Sequence, residues 1–107
     1  MTPQEIFDTK ISEKIKSKPD MADKVNAVYR FDLSGPTGGV WIVDLKKGGT
    51  NGVRQADEQG QCTILMSDTD FVSLVDGSLA PQKAFMGGKL KVKGDMSLAM
   101  KLTSVLT

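Results

Sequence analysis

The residues that could carry out covalent chemistry in this chain are few, and their spacing forms no known catalytic set. The 107 residues include no histidine, which excludes Ser-His-Asp and Cys-His nucleophilic systems and imidazole metal sites. Cys62 is the single cysteine, and its alternation with Ile64 and Met66 is typical of a buried thiol in a strand. The thirteen acids are scattered, and those at helix starts are interpreted as caps. We therefore expect no enzyme active site and no bound metal.

Glycine-rich segments and overall charge exclude two further classes of site. The segments GPTGG, GGTNG and the glycine pair at 87–88 do not match G-x-x-x-x-G-K-[ST], nor G-x-G-x-x-G between a strand and a helix, so they are predicted to be turns. Fourteen bases, twelve of them lysines, nearly balance the thirteen acids. Nucleic-acid binding normally requires a strong basic excess, so no nucleic-acid partner is expected.

The elements that would position a site follow from hydrophobic periodicity. Residues 2–17 are predicted to form an amphipathic helix that begins with a Thr2 cap and a Glu5 capping box. Strands and helices are otherwise segregated along the chain, which favours an α+β fold over a doubly wound sheet. We expect a single domain over residues 1–107, with a five-stranded, mostly antiparallel sheet covered by helices. The predicted strands are 25–34, 40–46, 53–57 (weak), 62–67 and 89–94, the further helices are 67–77, 80–88 and 96–106, and 19–24 is a short turn.

The last third of the chain carries more apolar side chains than a sheet face of this size needs. The final predicted helix has seven apolar residues in eleven positions, whereas a surface helix needs three or four in two turns. One interpretation is a plain core or an interface with another chain. The other is an apolar cavity that helices close and a lipid fills.

A short strand just before that helix has its lysines on one face. Lys89, Lys91 and Lys93 alternate with Leu90 and Val92, which predicts lysines outward and the apolar pair inward. Protection of a sheet edge against aggregation is the preferred interpretation. Contact with an acidic head group or an anionic membrane surface is the alternative.

Several stretches together resemble the sterol carrier protein 2 domain over nearly the whole chain. They are VNAVYRFDLS, GGVWIVDLKKG, ILMSDTDFVSLVDGSL and PQKAFMGGKLKVKGDMSLAMKL. The resemblance implies a five-stranded sheet and helices that enclose a hydrophobic tunnel. It implies a non-enzymatic domain, without a cofactor, that binds or transfers fatty acids, fatty acyl-CoA, sterols or related lipids. The alternative is an interaction module attached to, or a partner of, a peroxisomal β-oxidation enzyme.

The resemblance also implies a tunnel lined from both layers. Gln82 is the expected polar exception, a partner for a ligand oxygen. The residues expected to line it are Phe7, Ile11, Tyr29, Phe31, Trp41, Ile64, Met66, Phe71, Val75, Gln82, Phe85, Met86, Met96, Met100 and Leu102.

Location in the cell is implied only in part. The family suggests an intracellular, peroxisomal protein, and many members end in a tripeptide such as Ala-Lys-Leu. This sequence ends in Val-Leu-Thr, which does not match that address, so the cytoplasm stays open as an alternative.

Overall fold

The helix at the start of the chain widens into a π-helical segment. The computed structural model describes residues 2–17, 24–46 and 52–101, without the side chains of residues 99 and 100. Helix α1 (Pro3–Glu5) continues into π1 (Ile6–Ile11) and α2 (Ser12–Ser17). Thr2 caps the helix, as predicted, by accepting a hydrogen bond from the Glu5 amide at 3.3 Å.

The sequence did not predict the π-helical segment, and hydroxyl side chains account for it. Both the backbone amide and the hydroxyl of Ser12 donate to the carbonyl of Phe7, five residues earlier. Thr9 donates its hydroxyl to the carbonyl of Glu5. Such side-chain bonds to the backbone compete with the regular α-helical pattern. The resulting five-residue spacing places Ile6, Phe7 and Ile11 in the interior together.

The sheet has five strands in the order β3-β2-β1-β4-β5, which confirms the predicted α+β fold. Three neighbouring pairs are antiparallel, and the central pair β1 and β4 is parallel. The sheet is therefore mostly antiparallel, as expected. The strands are β1 (Ala27–Ser34), β2 (Gly39–Leu45), β3 (Gly52–Gln55), β4 (Cys62–Ser67) and β5 (Lys91–Gly94).

Two strands begin two residues later than the sequence predicted, for local reasons, while β2 and β3 begin one residue earlier. Val25 lies in a short helical turn, and Asn26 has a φ of 48°, so β1 begins at Ala27 rather than at residue 25. The amides of Lys89 and Leu90 donate to the carbonyl of Ala84 instead of to a neighbouring strand. Strand β5 therefore begins at Lys91, two residues later than predicted.

The parallel central pair requires a connection that crosses the sheet. Residues 56–61 lead from β3, at one edge, past β2 and β1 to β4. Arg30 donates to the Asp57 carboxylate at 2.6 Å and to the Glu58 carbonyl at 2.8 Å. The Gln61 amide donates to the Val28 carbonyl, and the Gln61 side-chain oxygen accepts from the Val28 amide. These bonds place the connection on the outer face of the sheet, the face that carries Val28 and Arg30.

The inner face of the sheet is covered by helices. Alternate residues of β1, including Tyr29 and Phe31, share a buried cluster with the helical residues Phe7, Phe71 and Leu98. Ser67 caps the helix Asp68–Asp76 (α3), as predicted, by accepting from the Asp70 amide. The final helix is described only as far as residue 101, and no helix among the described residues is long and apolar enough to cross a membrane. The helices after β4 are α3 (Asp68–Asp76), α4 (Pro81–Met86) and α5 (Met96–Met100).

Candidate lipid-binding site

The layer between the sheet and the helices is filled by aromatic rings that meet at Phe7. The Phe7 ring stacks on Phe71 with centroids 4.9 Å apart and on Trp41 with centroids 5.0 Å apart. Phe31 meets the Phe7 ring edge-on at 5.3 Å. Phe7 belongs to the N-terminal helix, Trp41 and Phe31 to the sheet, and Phe71 to α3. The cluster therefore joins three separate parts of the chain into one apolar layer.

A hydrogen bond fixes helix α5 to the centre of the sheet. Tyr29 is completely buried, and its hydroxyl donates to the Leu98 carbonyl at 2.5 Å. Burial raises the pKa of Tyr29 far above its ordinary value, and repulsion from the Cys62 thiolate that forms at alkaline pH and from Asp95 adds to that effect. The hydroxyl therefore stays protonated and remains a donor.

Cys62 is a buried thiol, as predicted. Its side chain is completely buried on the inner face of β4. Burial, with a smaller contribution from Asp95, raises the pKa of the thiol to about 11. A thiol with that pKa is a poor nucleophile at neutral pH. Within residues 2–17, 24–46 and 52–101, no group of three or more acids or cysteines is placed to hold a metal ion.

The structure brings eight of the fifteen expected lining residues into one buried cluster. Val75 of α3 packs against that cluster and is half-buried. The eight are Phe7, Ile11, Tyr29, Phe31, Trp41, Ile64, Met66 and Phe71.

Four of the remaining six expected lining residues are exposed. Gln82 is exposed, and the exposed fractions are 48% for Phe85, 78% for Met86 and 51% for Met96. Met100 is the last residue of α5, and its side chain is not described. Leu102 lies outside the described residues.

Among the helices whose side chains are all described, α4 has the largest share of exposed side chains. It has six residues, no side-chain cap, and one buried side chain, that of Ala84. By contrast, α3 buries Phe71 and Leu74 and has a Ser67 cap. Elements with few buried apolar contacts are those that open at the lowest free-energy cost. On the side of α4, the layer is therefore held closed by few buried contacts.

A cleft that sequence reasoning did not identify lies on the outer face of the sheet, with a volume of about 500 Å³. Asp32, Leu65 and Lys91 lie side by side there across β1, β4 and β5. Two carboxylates, two lysines and two serines make the cleft polar, so an acyl chain is a poor match for it. The sequence indicates which residues face outward on each strand, but the cleft can be recognised only when the order of the strands is known. The lining is Asp32, Ser34, Leu65, Met66, Ser67, Asp70, Gly88, Lys89 and Lys91.

Comparison with known proteins gives one consistent family. The sequence pattern of the SCP-2 sterol transfer family matches residues 9–107. Hydroxysteroid dehydrogenase-like protein 2 of Bos taurus is 47% identical over 88 residues, which are 81% of this chain and 21% of that protein. The chain therefore spans about a fifth of the length of that curated relative.

Solved structures agree in fold and in sequence. Apo sterol carrier protein 2 of Yarrowia lipolytica has a TM-score of 0.80 at 31% identity, over 94% of this chain and 86% of that one. Palmitated SCP2L2 of Aedes aegypti has a TM-score of 0.80 at 27% identity, over 99% of this chain and 95% of that one.

Proposed function

Since the chain belongs to the SCP-2 sterol transfer family, we propose that it binds the apolar part of a lipid and carries it without reacting with it. The ligand would be a fatty acid, a fatty acyl-CoA or a sterol. The observation that carries the proposal is the continuous apolar layer from the Phe7 cluster to α4, where apolar side chains reach the surface. A relative of the same fold is described as palmitated, which supports an acyl ligand.

The driving force would be burial of the ligand's hydrocarbon. Each buried methylene contributes about 0.8 kcal/mol, from which the cost of ordering the ligand and displacing packed side chains is subtracted. Because the rings around Phe7 are already in contact, a ligand can enter only if a helix that covers the layer moves outward. Helix α4 is the element that would move, since it buries only Ala84, while α5 stays bonded to the sheet through Tyr29.

The proposed lining combines the buried cluster with the surface around α4 and α5. Phe85, Met86 and Met96 would close over a ligand from positions that are exposed without one. Gln82, exposed on α4, would reach a ligand oxygen. Met100 and Leu102 are proposed from the sequence alone.

The absence of catalysis is part of the proposal. Among the described residues, the buried phenol of Tyr29 and the buried thiol of Cys62 are both held protonated by burial. The proposal therefore assigns the domain binding and delivery and leaves any reaction to another protein.

The sole tryptophan provides a direct test. Trp41 is 2% exposed and stacks on Phe7, so a ligand that enters the layer must change its surroundings. Delipidated protein titrated with palmitate should show a saturable change in Trp41 emission, with affinity in the micromolar range or tighter. Octanoate, with half the chain length, is the matched control and should bind far more weakly because fewer methylenes are buried. Emission that does not respond to any acyl ligand in a folded sample would refute the proposal.

A second candidate function rests on the length of the relatives. Because the chain matches only 21% of hydroxysteroid dehydrogenase-like protein 2, the same fold occurs there within a longer protein. The domain would then present lipid to an enzyme that acts on it, in the same chain or in a partner. Recovery of a lipid-metabolising enzyme with the tagged domain, at the same yield from delipidated and lipid-loaded protein, would favour this interaction role. Peroxisomal residence stays a prediction for this chain.

A further inference from the structure

The charge of the chain is unevenly distributed, and its positive end lies beside exposed apolar side chains. Residues 77–94 contain four lysines and no acid, which leaves ten bases against thirteen acids in the rest of the chain. The four lysines are Lys83, Lys89, Lys91 and Lys93, and all are exposed. The described part of the structure gives none of them an ion pair. Their charge is therefore not neutralised by an ion pair within the described residues, and Lys83 and Lys93 lie outside the cleft that Lys89 and Lys91 share with Asp32 and Asp70.

Backbone hydrogen bonds hold the apolar and cationic residues at one corner. The amide of Gly88 donates to the Phe85 carbonyl at 3.2 Å. The amides of Lys89 and Leu90 donate to the Ala84 carbonyl at 2.9 and 3.0 Å. The end of α4 and the start of β5 thus form one closed turn. We call residues 81–93 the α4–β5 corner.

Two adjacent apolar side chains lie at the surface of this corner. Ala84 packs into the core, while Phe85 is 48% exposed and Met86 is 78% exposed. These are two of the three large apolar side chains that the described residues leave exposed. Lys83 precedes them on α4, and Lys89 follows them in the turn, so cationic groups flank the apolar pair on both sides.

We propose that the α4–β5 corner docks on an anionic lipid bilayer, with Phe85 and Met86 entering the interface and the lysines meeting acidic head groups. The inference rests on the proposed lipid-carrying function, because a carrier has to meet a bilayer to load or release its ligand. Apolar side chains bordered by lysines are the composition that binds at a membrane interface. Each lysine near an anionic surface strengthens binding to that surface roughly fivefold.

The composition favours a bilayer over an acidic protein. Protein interfaces are depleted of lysine and enriched in arginine, and this corner has four lysines and no arginine. A stable protein interface buries about 800 Å² on each partner, which a six-residue helix with two apolar side chains does not offer by itself. A fluid bilayer needs no matching shape, so two apolar side chains flanked by lysines are enough to dock on it.

Vesicle co-sedimentation tests the proposal with the intact chain. Vesicles of equal parts phosphatidylcholine and phosphatidylserine should bind the protein, and vesicles of phosphatidylcholine alone should bind it much less. The double variant Lys83→Gln/Lys89→Gln should lose roughly 30-fold in affinity for the anionic vesicles. The charge-matched control is Lys16→Gln/Lys46→Gln, two exposed lysines outside the corner, and it should lose far less. Equal losses in the two double variants, or equal binding to both kinds of vesicle, would overturn the proposal.

A second variant separates insertion into a bilayer from simple attraction between charges. Met86→Gln keeps the charge and removes the most exposed apolar side chain, so it should also weaken binding to the anionic vesicles. If Met86→Gln binds the anionic vesicles as the unmodified protein does while the lysine pair matters, the attraction is between charges alone, and the proposed entry of Met86 into the interface is refuted.

Acyl binding in the absence of vesicles keeps this test distinct from that of the proposed function. Lys83→Gln/Lys89→Gln should bind palmitate, followed by Trp41 emission, as tightly as the unmodified protein. A loss of palmitate binding in that variant would show that the lysines act in the acyl site, which would overturn their role in docking.

Discussion

The Tyr29 hydroxyl donates a hydrogen bond to the Leu98 carbonyl across 69 positions of sequence, inside a fully buried environment. It joins the central strand of the sheet to the last described helix. This bond holds helix α5 to the sheet in addition to the burial of the Leu98 side chain. Because α5 borders the proposed lipid site, this bond couples the stability of the fold to the closure of the site.

Removal of that hydroxyl tests the coupling. Tyr29→Phe removes one of two donors to the Leu98 carbonyl, the other being the Lys101 amide at 3.1 Å, so it should cost about 0.5–1.5 kcal/mol of unfolding free energy. Urea unfolding followed by circular dichroism measures the change. Ser78→Ala, which removes an exposed hydroxyl bonded to Asp76, is the control and should cost much less. A midpoint unchanged in Tyr29→Phe would mean that the bond contributes nothing to the fold.

Alkaline pH should destabilise the protein through the same tyrosine and its neighbour. Burial raises the pKa of Tyr29 and of Cys62, so both groups ionise at lower pH in the unfolded chain than in the folded one. The two groups contribute fully to the unfolding free energy below their ordinary pKa values, about 8.5 for a thiol and about 10 for a phenol. That contribution is lost as the pH rises past those values. Thermal unfolding measured across that range should show a falling Tm. In Tyr29→Phe the decline above pH of about 10 should be shallower; an identical decline would assign it to other groups.

Two phenylalanines of opposite burial should separate stability from lipid binding. Phe7→Ala removes the ring that contacts Trp41, Phe31 and Phe71, and should cost about 3–5 kcal/mol of unfolding free energy. Phe85→Ala alters a side chain that is 48% exposed and should cost less than about 1 kcal/mol. If Phe85 closes over the ligand, its truncation should nevertheless weaken palmitate binding several-fold.

Thermal melts and palmitate titrations of the same two variants provide the check. Gln59→Ala, an exposed change on the connection between β3 and β4, is the surface control and should alter neither property. Full palmitate affinity in Phe85→Ala would remove that residue from the proposed lining.

A backbone position in the first hairpin is expected to require glycine. Gly35 has a φ of 103°, and an added Cβ would meet the Asp68 carboxylate at the start of α3. That carboxylate accepts from the amide and the hydroxyl of Thr37, which fixes the β1–β2 turn to α3. Gly35→Ala should therefore cost more than about 1 kcal/mol.

The matched control for that change is Gly77→Ala, which also has a positive φ, of 92°, but has open space around the added Cβ. Chemical denaturation of both variants distinguishes backbone strain, which they share, from displacement of Asp68, which only Gly35→Ala causes. Equal losses in the two variants would show that the Asp68 contact adds nothing.

Most of the fold could be predicted because each strand has one buried face. Alternation along β1 and β4 identifies the inward residues from Tyr29 to Met66 without any knowledge of their partners. The parallel pairing of β1 with β4 could not be predicted, since it depends on which strands meet in space. The π-helical turn was also missed, because its cause is the choice of acceptor by the Ser12 and Thr9 hydroxyls.

The candidate site was less predictable than the fold. A six-residue helix such as α4 is too short for its apolar pattern to indicate which side meets the core. The sequence offers Ala84, Phe85 and Met86 in succession, and the structure buries the smallest of the three. The polar cleft beside Lys91 required knowledge of three neighbouring strands, which no local pattern contains.

The crossing connection between β3 and β4 has a consequence for how the chain acquires its structure. Strands β1, β2 and β3 pair with their sequence neighbours, so this half of the sheet can assemble through short loops. The other half must close a much longer loop, because Val28 and Gln61 meet across 33 positions. Contacts between distant residues slow folding, since loop entropy is lost before the contact forms. We therefore expect the three-stranded meander to form early and the β1–β4 pairing to limit the folding rate.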